Sequence, residues 1–473
     1  MIKFGTDGWR AVMDSEFTTE RVGLVAQAIA DYLAERNLCS KAIIVGFDTR
    51  RNSRLYAETA ASVLCGNNIS VLLPTRDLPT PMIVFSVKYR QLGGAIMVTA
   101  SHNPPMYNGI KFIPETAAPA LPEVTDVIER NIQMLTFENV QKIELQEAKN
   151  RGLLGELDPF EDYRKHVLSL VDIALIRNAR LRIIHDALFG TSRSYLPTLL
   201  KDVGCEVIEI HNWADPGFSG MEPNPEERFL SELKQAVIKH SVDLGIANDG
   251  DADRIGVVDE RGNYISPNMV FSLLASYVAG KASSSEGAIV RSIATTHLVD
   301  KIAEAHGIGL IETPVGFKWL AKAMIEKNGL IAGEESGGVC FRGHVAEKDG
   351  LLTALFLAEM IAAAKKPLSQ LVLDLKKRYG DLFFGRISVG FQTREIQRLI
   401  EKLKLQVPRE IAGYEVVSIS TLDGLKLTLK DGAWLLIRPS GTEPVVRIYG
   451  EAASVEILNK ILAEGRQLVE GVD

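Results

Sequence analysis

Residues 95–109 read AIMVTASHNPPMYNG. Ala95 to Val98 is an apolar run of strand length, and the residues after it are polar, so the run predicts a buried strand that ends in a loop. In open α/β sheets that end of a strand is where ligands collect. Ser101 presents a hydroxyl able to carry a phosphoryl group, flanked by His102 and Asn103 and stopped by Pro104-Pro105. By itself the stretch reads better as a polar turn closed by proline. The rest of the chain decides whether Ser101 is a nucleophile.

Outward from this stretch, strands and helices alternate. Upstream, a helix is predicted over 20–35, a strand over 41–47 that ends in the polar loop DTRRNSR (48–54), a helix over 55–65 and a short strand over 70–73. The alternation predicts a parallel or mixed sheet covered by helices. It recurs with strands at 181–186, 206–210 and 243–247, and again at 289–291 and 309–312, with helices between them. The tail differs, with short strands, a helix over 395–403, a strand region over 428–438 and a final helix near 455–469. Linkers at 149–155 and 364–367, and a fainter junction near 259–267, predict units of 1–150, 151–258, 259–368 and 369–473.

A chain of 473 residues is too long for one core, since cores stop growing and chains divide beyond ~250–300 residues. The net charge of −7 and the absence of a Lys/Arg-rich block exclude a nucleic-acid footprint. An anionic substrate therefore needs a few locally placed cations. The four cysteines are far apart and form no CxxC, which predicts reduced residues and a cytoplasmic protein. The start MIKFGTDGWR has no signal-peptide core, and the longest apolar run, 351–364, is too short for a membrane span and predicts a buried helix.

Three further stretches carry chemistry. NDGDADR (248–254) follows the apolar DLGIA, and its alternating Asp249, Asp251 and Asp253 are expected to project to one side of an extended loop. Carboxylates so close repel unless a hard cation lies among them. An EF-hand is rejected, because Arg254 stands where its invariant glycine belongs and the flanks read as strands. In GEESGG (333–338), Glu334 and Ser336 can bond neighbouring sugar hydroxyls. In RPSGTEP (438–444), Arg438, Ser440, Gly441 and Thr442, with Arg447 beyond, offer what a phosphate dianion needs.

The set FGTDGWR, TASHNP with NGIK, DGDADR, GEESGG and RPSGTEP, in this order, resembles the α-D-phosphohexomutase superfamily, the phosphoglucomutases and phosphomannomutases, along essentially the whole chain. The resemblance implies four domains around a cleft, three related α/β mixed-sheet domains and a smaller α+β C-terminal one. It implies that Ser101 carries the phosphoryl group and that Asp249, Asp251 and Asp253 hold Mg²⁺ together with an oxygen of phosphorylated Ser101. Arg10, His102, Lys111 and Arg254 would surround that phosphate, with Lys111 either a general acid/base or an electrostatic clamp. Thr313, Gly316 and Lys318 of TPVGFK, with Glu334 and Ser336, would grip the sugar, while Arg438, Ser440, Gly441, Thr442 and Arg447 hold its other phosphate. His344 and Lys348-Asp349-Gly350 are lesser candidates for the same contacts.

The implied reaction interconverts glucose 1-phosphate and glucose 6-phosphate through glucose 1,6-bisphosphate, which turns end for end in the cleft. Glu335 makes the sugar loop GEES, as in glucose-type members, and Thr99 stands where phosphoglucosamine mutases carry Ser. Ala252, where many members have glycine, removes no ligand. The alternatives are a phosphomannomutase or dual-specificity enzyme, a glucose-1,6-bisphosphate synthase, a silent sugar-phosphate sensor, and a phosphatase phosphorylated on Asp249. Partners are expected to be hexose phosphates alone, with no nucleic acid or membrane, for a monomer or homodimer.

Overall fold

The structure is a computed structural model that describes residues 2–5, 8–282, 287–391, 393–440 and 445–471. Strand Gly94–Val98 lies in a six-stranded sheet, parallel to Ile43–Phe47 and antiparallel to Tyr107–Pro114. Every residue of Ile43–Phe47 and Gly94–Val98 is buried, because helices cover both faces. Thr19–Glu35 and Ser53–Gly66 pack on one face, and Thr80–Tyr89 on the other. Trp9–Val12 closes one edge, in a register that sets Arg10 opposite Gly109.

A second sheet of five strands and a third of four repeat the plan, with parallel central strands followed by one antiparallel return. In each of the three sheets that return makes a hairpin. Thr99–Met106 joins Gly94–Val98 to Tyr107–Pro114, residues 249–254 join Leu244–Asn248 to Ile255–Asp259, and residues 334–338 join Ile331–Gly333 to Val339–Phe341. The stretches carrying Ser101, the three aspartates and Glu334 are thus equivalent hairpin tips of three similar units. The fourth sheet is antiparallel, and residues 440–444 join its strands Trp434–Pro439 and Val445–Ala452.

That fourth sheet buries two faces. Leu425, Leu427, Leu435, Ile437, Val446 and Ile448 form one cluster with residues of its helices. Trp434, Leu436 and Tyr449, on the other face, pack against Ile293 and Ala294 of the third unit. The helix Gly350–Ala364 is apolar all round and lies in a core shared by the first three units. No helix among the described residues is long and apolar enough to cross a membrane.

Three expectations change. The strand region at 428–438 is two strands, Leu425–Leu429 and Trp434–Pro439, because Gly432 takes φ +87° and turns the chain back. The carboxylate loop is a hairpin tip and not an extended segment, with Ala252 left-handed at φ +60° and its N–H bonded to the Asp249 carbonyl. Each sheet or core also draws in elements beyond the expected unit ends. Leu154–Glu156 pairs with Val71–Leu73, Tyr264–Ile265 pairs with Ile255–Asp259, and the helix Leu368–Tyr379 packs on the helix Pro267–Lys281. Leu154 buries in the first unit's core, Tyr264 packs on the second unit's, and Leu368 and Leu375 share a core with Leu273 and Leu274 of the third.

Gly109 marks how tightly the first tip is packed. A methyl group there would lie 2.6 Å from the carbonyl oxygens of both Thr99 and Trp9. Neither backbone can retreat without breaking its ladder. Gly109→Ala is expected to cost at least about 2 kcal/mol, read as a lower melting temperature, with Ser101 phosphorylation reduced in the fraction that folds.

Candidate active site

Ser101 is 1% exposed and left-handed, at φ +51°. The loop holds this unfavoured conformation by hydrogen bonds: the Ser101 N–H donates to Thr99 Oγ1 at 2.9 Å, and that hydroxyl donates to Asp48 Oδ2 at 2.7 Å. The result aims Ser101 Oγ away from its own unit. It donates to Asp249 Oδ2 at 2.7 Å, across to the second hairpin tip, and lies 3.2 Å from His102 Nδ1.

Asp249, Asp251 and Asp253 are at most 1% exposed, and one oxygen from each lies within 4.8 Å of the others. Burial first, then Asp253 and Asp251, push the Asp249 carboxyl well above the usual carboxylate range. Countercharge arrives from two other units. Lys111 Nζ is 2.9 Å from Asp251 Oδ2 and 2.9 Å from Asp253 Oδ2, and Lys348 Nζ is 3.1 Å from Asp253 Oδ2. Thr80, at the start of a first-unit helix, donates its hydroxyl to Asp251 Oδ2 at 2.6 Å and its N–H to the Asp251 carbonyl at 2.9 Å. Asp251 Oδ1 is buried with no hydrogen-bond partner. Three converging carboxylates with an unsatisfied oxygen among them fit a hard divalent cation such as Mg²⁺.

The surrounding candidates divide. Arg10 donates to Asn103 Oδ1 at 2.7 Å and so borders the Ser101 loop. The desolvated His102 ring lies among the cations Arg254, Arg10, Arg50 and Lys348, and burial and these charges hold it well below its ordinary pKa, hence neutral. Arg254 sits 3.8 Å from Asp253 Oδ1. In the third unit, Glu334 Oε1 accepts the Gly316 N–H at 2.8 Å, which joins TPVGFK to GEESGG. Burial and the neighbouring Glu335 raise the Glu334 carboxyl to about 7. Thr313 spends its hydroxyl on the Pro314 carbonyl, 3.0 Å away, whereas Ser336 and Lys318 are half-buried.

Arg438 Nε donates to Asp423 Oδ2 at 2.9 Å, and the same oxygen accepts the Val315 N–H at 3.0 Å. Arg438 of the fourth unit is thereby fastened to the third unit's sugar-loop candidate. Arg447 lies opposite Arg438 in the ladder and Ser440 donates its N–H to the Val445 carbonyl, while Gly441 and Thr442 lie outside the described residues. His344 turns to a different partner. Its Nε2 is 2.9 Å from Asp349 Oδ2, which also accepts from Tyr163 Oη at 2.6 Å, and Asp349 Oδ1 caps the helix Gly350–Ala364. Those residues serve a buried helix start. Lys348 alone of that group reaches the carboxylates.

Sequence reasoning passed over Asp48, Arg50, Thr80 and Asp423. Asp48 and Arg50 lay in a loop read only as polar. Their signal, a charged pair directly after a buried strand, does not separate a surface loop from a buried one.

Domain signatures of the phosphoglucomutase/phosphomannomutase family match the chain in four segments: alpha/beta/alpha domain I over 1–139, domain II over 161–262, domain III over 266–379 and the C-terminal domain over 395–468. A phosphoglucomutase/phosphomannomutase of Thermococcus kodakarensis is 32% identical over 99% of this chain and 98% of its own length. A phosphoglucosamine mutase of Acetivibrio thermocellus is 27% identical over 99% and 98%. A Thermus thermophilus crystal structure assigned as a phosphomannomutase aligns with TM-score 0.86 and 32% identity over 99% of both chains. The chain belongs to the phosphoglucomutase/phosphomannomutase family within the α-D-phosphohexomutase superfamily. It is a phosphohexomutase, an intramolecular phosphotransferase of the isomerase class.

The crowding of the carboxylates has a measurable consequence. Asp249→Asn removes a carboxyl whose ionisation burial and its two neighbours oppose, so the metal-free protein is expected to melt higher than wild type, while the rise in melting temperature on adding Mg²⁺ is lost. Mutase activity should fall by roughly 10²–10³-fold or more.

Proposed function

We propose that the enzyme is a phosphoglucomutase, interconverting glucose 1-phosphate and glucose 6-phosphate through phosphorylated Ser101 and a glucose 1,6-bisphosphate that stays in the cleft. The observation that carries this reading is the 2.7 Å bond from Ser101 Oγ to Asp249, which places a hydroxyl carrier at the edge of three converging carboxylates. A sensor needs no such carrier. An aspartyl-phosphate phosphatase needs no serine on its aspartate.

In this reading Asp249, Asp251 and Asp253 hold Mg²⁺, which when bound supplies charge neutralisation to the transferring phosphoryl group. The O–P bond at Ser101 breaks as a new one forms to the sugar hydroxyl, and the proton that hydroxyl loses is made up on Ser101 Oγ, the leaving oxygen. Arg10, Arg254 and neutral His102 border the phosphate. Lys111 is paired with two carboxylates, which favours the clamp role. Glu334, Ser336, Thr313, Gly316 and Lys318 bind the sugar, and Arg438, Ser440, Gly441, Thr442 and Arg447 bind its resident phosphate. We divide the units after Glu156, Ile265 and Tyr379, and place the enzyme in the cytoplasm.

The choice of glucose rests on Glu335. Thr99 carries less weight, because its hydroxyl faces Asp48 and the Ser101 N–H, a task serine can also perform. Glucosamine phosphate is the second reading, favoured by the several phosphoglucosamine mutases among the relatives.

Intact-mass analysis of wild type incubated with glucose 1,6-bisphosphate should show one added phosphoryl group, absent in Ser101→Ala, which loses Mg²⁺-dependent activity. A fully active Ser101→Ala sinks the carrier mechanism. Turnover of glucosamine or mannose phosphate above that of glucose phosphate reassigns the substrate.

Glu334 also sets a pH dependence. Its carboxyl titrates at about 7, and only the ionised form accepts from two sugar hydroxyls. As pH rises from about 6 to about 8, kcat/KM should therefore rise. Glu334→Gln should flatten that part of the profile and lower its plateau by roughly 10-fold or more.

A further inference from the structure

Arg50 is buried at 3% exposure directly behind the serine loop, and no sugar or phosphate role accounts for it. One guanidinium nitrogen donates to the carbonyls of Pro104 at 2.9 Å and Tyr107 at 3.0 Å. The other donates to the carbonyls of Ser101 at 2.7 Å and Asn103 at 2.6 Å. Arg50 Nε lies 3.2 Å from Asp48 Oδ2, the oxygen that also accepts from Thr99. Asp48 Oδ1 accepts from the Arg50 N–H at 2.9 Å and from Ser53 Oγ at 2.6 Å. Four carbonyls between Ser101 and Tyr107 are thus gathered onto one planar cation, and Asp48 closes the circuit back to the Ser101 N–H.

The cation has a lid from another unit. The ring of Phe218, fully buried, lies 5.0 Å from the guanidinium carbon. Phe218 and Ser219 are both left-handed, at φ +48° and +51°, so the lid is itself held in an unfavoured backbone conformation. A Cβ on Gly250, in the carboxylate loop, would lie 2.7 Å from the Ser101 carbonyl oxygen. The second unit therefore closes on the serine loop from two sides.

We propose that Arg50 is a positioning residue for phosphoryl transfer. It fixes the left-handed backbone at Ser101 that points Oγ at the carboxylates, and Phe218 keeps its guanidinium dry so that those bonds stay short. Only the planar fork of arginine makes all four bonds together; a lysine ammonium, with three donors on a flexible stem, leaves part of the loop untied. The role touches no substrate. It acts on the geometry of the carrier, and an error of about 1 Å there costs on the order of 100-fold in rate.

This inference rests on Ser101 as the phosphoryl carrier, and the test separates the two. In the full-length enzyme, wild type and Ser101→Ala report on the carrier through intact mass after glucose 1,6-bisphosphate. Arg50→Lys and Phe218→Leu report on the positioning through steady-state kinetics and the single-turnover rate of Ser101 phosphorylation. Arg50→Lys should lower kcat and the phosphorylation rate by about 100-fold, with KM for glucose 1-phosphate within about 3-fold of wild type. Phe218→Leu should show the same split at a smaller size, about 5- to 10-fold. A purely structural role predicts activity lost in proportion to the folded fraction, at unchanged kcat per folded molecule, and that result overturns the proposal. If Arg50→Lys does not fold, Phe218→Leu decides alone, and unchanged kcat there also overturns it.

Discussion

Asp249, Asp251 and Asp253 are held out of water with one oxygen of each within 4.8 Å of the others. Like charges this close in a desolvated place demand compensation, and the molecule supplies it from every side. Lys111 comes from the first unit, Lys348 from the third, and Thr80 and Ser101 add hydrogen bonds. The first unit is tied to the second elsewhere too, by the buried Arg193–Asp77 pair at 2.6 Å. Electrostatic need at one hairpin tip thus helps to set how the three units are docked.

The same constraint explains why the chemistry occupies hairpin tips. A central parallel strand ends at the edge of a buried layer, and an antiparallel return lets a short polar tip project from it while its stems stay paired. Repeated in three units, this brings the Ser101 hydroxyl, a carboxylate cluster and a sugar-loop candidate to one place without burying an unpaired backbone. The fourth unit joins by a mixed contact. Trp434 and Tyr449 pack on the third unit, while Lys426 enters it to meet the Ile293 carbonyl at 2.8 Å and Glu312 at 3.2 Å. Asp423, shared by Arg438 and Val315, sets the end of the strand Trp434–Pro439 against the third unit's loop at 313–318.

The serine loop shows how polar networks can replace an apolar core. Ser101 holds an unfavoured φ because Thr99, Asp48 and Arg50 leave its backbone no other partners. Such a buried network is rigid only when fully bonded, and here one guanidinium ties most of it.

Much of this was legible along the chain. Apolar runs followed by polar loops announced the strands and the polar tips that follow them, and the residue types in those loops suggested a phosphoryl carrier, a cation site, a sugar grip and a phosphate grip. Those signals are local, and they survive any arrangement of the cores. What the linear order did not contain was contact. Ser101 and Asp249 meet across 148 positions, and the sense in which the aspartates converge depends on a left-handed residue at 252 that alternation alone misread as extended. Arg50 looked like one more charge in a polar loop, and His344 like a lesser candidate for a phosphate or loop contact. Only the packed structure decided that the first is sealed behind Ser101 and the second is bonded to a helix cap, because burial is set by what other units place on top of a residue.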